Sequence, residues 1–190
     1  MRENKNTKKM IVNAFLLGIG VILHQITPAL GLPMQPDFAL VMLFIIMIIN
    51  DGDYKTSLIS GIITGVFTAM TTKFPGGQLP NIIDKLVTAN IVFVIIFIIN
   101  KIKPLKKISE KKRETIKCII VFPIGTLISG LVFLFSASKL VGLPAQFKVL
   151  FISIVIPAVI INLIIGCILF KIVKTSIKKA NIISWLCKSY

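Results

Sequence analysis

The sequence predicts an all-α fold: a polytopic membrane bundle of six transmembrane helices with both termini cytoplasmic. Three observations predict it. The apolar fraction is 55% over 190 residues. These residues gather in runs, most of them long enough to cross a hydrocarbon core of about 30 Å. Between the runs, basic residues crowd every second connection, the pattern by which charge orients membrane helices. The formal charge of +15 would suggest nucleic acid if it lay on a single face. Dispersed between membrane spans, it points away from that partner.

The first span covers 10–27 and is broken by Pro28 and the Gly31-Leu32-Pro33 turn. The second, 38–49 (FALVMLFIIMII), is strongly apolar but short, so it must borrow flanking residues to span. The third, 56–72, is small and hydroxyl-rich (TSLISGIITGVFTAMTT) and the weakest by hydropathy. The fourth covers 81–99, the fifth 116–137 and the sixth 149–173.

Charge tests that count. Of the 22 Lys and Arg residues, 18 fall on one side: those before the first span, Lys55, the run from Lys101 to Lys117, Lys171 at the end of the sixth span, and those after it. Lys73, Lys85, Lys139 and Lys148 fall on the other. Six crossings with a cytoplasmic amino terminus produce this asymmetry, and five would spoil it. The chain then reads as one integral-membrane domain over 1–190, with a basic cytoplasmic loop at 100–117 and a cytoplasmic tail at 174–190. The loop suits an anionic leaflet, and Trp185 and Tyr190 suit an interface. No A-x-A-like site follows the first apolar run, which speaks against a cleaved signal peptide. Cys118, Cys167 and Cys187 map to cytoplasmic ends or tails; odd in number and without C-x-x-C, they suggest neither a disulfide framework nor zinc.

Catalytic signatures are missing. The chain has no G-x-x-x-x-G-K-[ST], G-x-S-x-G or H-E-x-x-H. A lone His24 in the outer half of the first span reads as a packed, hydrogen-bonded residue, with a proton relay as the alternative. The chain reads as a non-enzyme, with no cofactor or metal implied.

Three helical faces stand out. Ser57, Ser60, Gly61, Thr64, Gly65, Thr68 and Thr71 form a stripe of small side chains, expected to pack internally because helices in lipid associate by close backbone approach. Thr126, Ser129, Gly130, Phe133 and Ala137 form a similar stripe on the fifth span. On the first, Ala14-x-x-x-Gly18 is either internal packing or a docking surface for another membrane protein.

The densest chemistry lies at Phe74-Pro75-Gly76-Gly77-Gln78-Leu79-Pro80-Asn81-Ile82-Ile83-Asp84-Lys85, on the extracytoplasmic side. Pro75-Gly76-Gly77 allows backbone geometry suited to an anion-binding nest. Asn81, Asp84, Lys85 and Thr88 share one face of a helix starting near Asn81. An acid and a base near a helix amino terminus suit a zwitterion, its carboxylate at the nest, the terminus or Lys85 and its ammonium at Asp84. The competing reading makes Asn81 an N-cap and Asp84 the residue that closes a capping box. Asp37, after Gln35-Pro36, is either an interfacial residue or a lid contact.

The Met34-x-Pro36-Asp37 turn and the Phe74–Lys85 segment together resemble the tryptophan transport proteins of the TrpP type, which belong with the substrate-binding S components of energy-coupling-factor transporters. The resemblance covers nearly the whole chain in length, topology and order of segments. It implies a six-helix protein that binds a small nutrient from outside and works with a membrane scaffold subunit and two cytosolic ATPases. It also implies that a small-residue motif on the first helix docks the scaffold, usually Ala-x-x-x-Ala and here Ala14-x-x-x-Gly18. On this reading, Gly76, Gly77, Gln78, Asn81, Asp84, Lys85 and Asp37 bind tryptophan, with Gln146 and Phe133 as further lining. The alternatives are an S component for another nutrient such as a vitamin, a stand-alone ion-coupled transporter, or an accessory membrane protein that binds no small molecule.

Overall fold

A computed structural model describes residues 2–27, 37–106 and 108–179. The Met34-x-Pro36 part of the turn, Gln35, Cys187, Trp185 and Tyr190 lie outside the described residues. The described chain is helical and carries no strand. In order it forms α1 (Arg2–Ile26), α2 (Phe38–Ile49), α3 (Tyr54–Thr71), α4 (Gln78–Lys101), a single turn α5 (Lys103–Lys106) and α6 (Glu110–Leu140). The last long helix is continuous from α7 (Phe147–Leu150) through a π turn (Phe151–Val155) into α8 (Ile156–Lys179).

Four of these helices are long and apolar enough to cross a membrane: Asn6–Ile26, Gln78–Lys101, Glu110–Leu140 and Phe147–Lys179. With 12 residues, α2 rises only about 18 Å, well short of a hydrocarbon core. It is apolar all round, and every residue from Ala39 to Ile48 is buried. Such a helix belongs at the centre of a bundle. It packs against α1, α3, α4, α6 and α8, and its Phe44 and Met42 anchor the main core.

The surface inverts the pattern of a water-soluble protein. Ile152, Ile156, Ile160, Ile164, Ile168 and Ile172 are all exposed, four residues apart, as one apolar stripe down the last helix. Thr64, Thr68, Asp84, Lys85, Thr88, Lys117 and Asn162 are buried. Apolar outside with polar groups paired inside suits lipid as solvent.

Small residues set the closest helix approaches. A Cβ at Gly61 would lie 2.6 Å from the Ala89 Cβ, and one at Gly65 would lie 3.3 Å from the Ile82 Cα. The hydroxyl stripe of α3 therefore faces α4, in agreement with the internal-packing reading. The hydroxyls turn onto their own helix, Thr64 donating to Ser60 O at 2.7 Å and Thr68 to Thr64 O at 2.9 Å.

Asp51 and Gly52 close the tight α2–α3 turn with positive φ of 38° and 93°. From there the Asp51 carboxylate reaches Lys117 on α6 and accepts from Asn100 Nδ2 on α4 at 2.8 Å. Asp53 caps α3, accepts from Thr56 Oγ1 at 2.8 Å and pairs with Lys9 of α1. One turn thus ties down three other helices.

Candidate functional site

At the opposite end of α2 a cavity opens between the end of α1, the α3–α4 connection, the first turns of α4, the late turns of α6 and the start of the last helix. The cavity is small, about 70 Å³, and open on one side.

One wall is charged. Lys85 is 1% exposed and pairs with both Asp84 and Asp37, the latter at 2.6 Å from Nζ to Oδ2. Asp84 is also held by Thr88 Oγ1, donating at 2.9 Å, and by Ser129 Oγ, donating at 2.8 Å. Its oxygens thus accept from three groups. Asp37 is placed by capping α2, where Oδ1 accepts from the Leu40 N–H at 2.9 Å. Burial pushes its carboxyl up, but the Lys85 ammonium, His24 and the Leu40 N–H outweigh that and hold it below the usual carboxylate range. Asp37 also remains the more accessible of the two acids, with a side chain 19% exposed against 1% for Asp84.

His24 enters from α1. Its Nδ1 lies 2.7 Å from Thr71 Oγ1, whose own proton goes to Phe67 O at 2.8 Å. Nδ1 must therefore carry the proton in this contact, which turns Nε2 toward Asp37 Oδ1, 4.0 Å away. At the rim, Lys73 Nζ donates to Thr27 O at 2.5 Å.

The other wall is apolar. Phe133, Ile154, Val155 and Ala158 line it. Phe74 meets the Phe133 ring edge-on, at 5.3 Å between centroids and 88° between planes. The π turn ends two residues before Pro157, whose ring supplies no N–H to the helix ladder, and it brings the adjacent Ile154 and Val155 into the buried interior together.

A family profile described as "Tryptophan transporter TrpP" matches residues 6–178. The chain belongs to this family. A probable tryptophan transport protein of Clostridium perfringens is 55% identical over 96% of this chain and 100% of its own length. Proteins of the same description from Clostridium acetobutylicum and Bacillus subtilis are 50% and 37% identical, over 91% and 92% of this chain and 95% of their own lengths in both cases. No solved structure matches. This TrpP-family chain is a multi-pass cell-membrane protein, in keeping with its four long apolar helices.

Of the residues singled out in the sequence, Asp37, Asn81, Asp84, Lys85 and Phe133 all border the cavity. Gly76, Gly77 and Gln78 do not. Gly76 and Gln78 are exposed, and the Gly77 N–H is used internally, donating to Phe74 O at 3.0 Å, so the expected nest does not face the site. The glycines serve the turn instead: Gly76 has φ +71°, and a Cβ there would collide with Val141. Their effect is to press Phe74 onto Phe133. Gln146 is exposed at the start of α7.

The capping box is also corrected. α4 begins at Gln78 with Gly77 as its cap, because Pro80 is tolerated in a first turn where its missing N–H would have had no partner. Asn81 is thus inside the helix, its Nδ2 donating to Gly77 O at 2.8 Å, and Asp84 points to Lys85, Thr88 and Ser129. Ala14 is exposed, and nothing lies within 4 Å of a Cβ placed on Gly18. Both line a shallow apolar groove with Ile11, Phe15, Ile19 and Ile22, which removes the internal-packing reading of that pair. The close approach on α1 falls at Gly20 instead, whose Cβ would meet Met42 at 3.1 Å.

Sequence reasoning missed Ser129 and Asn162 as parts of the site. Ser129 was legible only as a member of a packing stripe. Asn162 is a single polar residue in a long apolar run, and that isolation was the available signal.

Proposed function

We propose that this chain is the substrate-binding membrane subunit of a tryptophan uptake system, an S component with six crossings and both termini cytoplasmic. The reading is carried by one observation: a fully buried lysine held between two carboxylates, on the wall of an open cavity whose other wall is apolar. An amino acid with a large aromatic side chain has that same division. Asp37, the accessible acid, takes the ammonium. Lys85 and, at the rim, Lys73 face the carboxylate, with Asn81 beside them. Asp84 positions Lys85 rather than meeting the ligand directly, since its oxygens already accept from three groups. The 18-to-4 distribution of basic residues supports the orientation, with the cavity mouth on the outer face.

The sequence holds no nucleotide-binding loop, which fits an energy supply provided by other chains. The exposed Ala14–Gly18 groove is the docking surface for a membrane scaffold that carries cytosolic ATPases. Substituting Ala14→Leu is expected to abolish copurification with the scaffold and preserve tryptophan binding; loss of both together would assign Ala14 to the fold alone.

Thermal unfolding of the purified protein across tryptophan, other aromatic amino acids, indole and water-soluble vitamins tests the substrate. A ligand at about 100 times its Kd adds roughly 2.7 kcal/mol. Selective stabilisation by tryptophan, with indole much weaker, is the expected result. A vitamin hit would overturn the substrate, and silence across the panel would overturn the binding role.

A further inference from the structure

The deep end of the cavity holds a polar group that the charged wall does not use. Asn162 on α8 is 0% exposed. Its Nδ2 donates to Thr126 Oγ1 on α6 at 3.2 Å. Its Oδ1 is buried and accepts from no protein group. A bare amide oxygen in a membrane interior is costly, because hydrocarbon offers no donor in place of the water it lost. The other buried polar atoms in this condition among the described residues, on Asn50, Asn100 and Arg113, belong to side chains at the Asp51 end of the bundle, away from the cavity lining. Asn162 alone of these four residues borders the cavity.

Its placement fits one part of the ligand. Along α8 it lies a turn inward of Ala158 and about two turns inward of Val155. Thr126 likewise lies about a turn inward of Ser129 on α6. The amide is therefore reached past the apolar wall, from the charged mouth inward. A ligand anchored by its ammonium and carboxylate at Asp37 and Lys85 would send its side chain along that wall toward Asn162.

Resting on the proposed tryptophan-binding role, we infer that Asn162 Oδ1 accepts the indole N–H and is the specificity-determining residue that separates tryptophan from aromatic amino acids lacking that donor. Thr126 Oγ1 accepts from Nδ2, which leaves Oδ1 as the part of the amide still open to a donor. Phenylalanine would fill part of the apolar slot and leave the Asn162 oxygen without a donor. A site built around a hydrogen bond rejects the analogue lacking it far more strongly than an apolar slot rejects a change of size.

The test compares tryptophan with β-(benzothiophen-3-yl)alanine, in which sulfur replaces the indole N–H at nearly constant shape. Titrations use the purified full chain and its Asn162→Leu variant. In the parent, tryptophan is expected to bind on the order of tenfold or more tighter than the sulfur analogue. In Asn162→Leu that ratio is expected to fall close to one, chiefly through weaker tryptophan binding, with the analogue unchanged or improved. A merely structural asparagine would weaken both ligands equally, and that result overturns the assignment. If the variant does not fold, the parent decides alone: equal affinity for the two ligands overturns the inference while leaving tryptophan recognition intact. Failure of the parent to bind tryptophan overturns the proposed function and this inference together.

Discussion

Two buried lysines at opposite ends of α2 share their chemistry and differ in their surroundings. Lys85 on α4 and Lys117 on α6 are each 1% exposed, and each is answered by an aspartate flanking α2, Asp37 ahead of it and Asp51 behind. At the Asp51 end the carboxylate is shared among Lys117, Asn100 and Arg113, the last 4.0 Å away. Those groups come from α4 and α6, so the carboxylate braces helices together. At the Asp37 end the lysine is shared between two carboxylates, and both border a cavity, Asp37 being the more exposed. Removing charge from water is expensive wherever it is done, and a buried pair seldom repays that cost as stability alone. The pair that borders open space is the one we propose to meet a ligand.

The largest expected effect comes from breaking the outer pair. Lys85→Met leaves Asp37 and Asp84 facing each other without a cation. Stability should fall by about 3–5 kcal/mol, and the thermal shift with tryptophan should disappear. Tryptophan binding equal to the parent's would place the polar site elsewhere.

Lys117→Met should be milder, since Asp51 keeps Asn100 and its side chain is 27% exposed. A loss of about 1–3 kcal/mol in thermal unfolding is expected, with the Kd for tryptophan within twofold of the parent. If binding collapsed as well, the two ends would be one coupled device and the contrast drawn above would fail.

Asp37→Asn sharpens the comparison within the outer end. Asparagine caps a helix as well as aspartate does, so α2 should be retained while the ligand ammonium loses its charged partner. The Kd for tryptophan should rise on the order of tenfold; an unchanged Kd would return the ammonium to Asp84. The smallest effect belongs to Lys9→Met, which removes a partly exposed pair with Asp53. Less than about 1 kcal/mol should be lost in the same unfolding assay.

Much of the site was legible because helical periodicity is strict. Asn81, Asp84, Lys85 and Thr88 share a face in any α-helix through that segment, wherever it starts. The start itself was misplaced, since Pro80 marks a first turn as readily as a boundary. The apparent nest at Pro75-Gly76-Gly77 lies off the cavity lining: a glycine turn can bind an anion or shape a tight loop, and here Gly76 takes a positive φ against Val141 while Phe74 meets Phe133.

The sequence by itself determined that this is a helical membrane protein, where its apolar runs lie and which polar residues share a helix face. Those are properties of local spacing and of transfer from water to hydrocarbon, and neither needs a neighbour. Only the tertiary structure decided that α2 is buried on every side, that Asp37 reaches Lys85 from another helix, and that Ser129 and Asn162 close the cavity. Those contacts join residues far apart in the chain, and their value depends on what remains unpaired once the helices have packed.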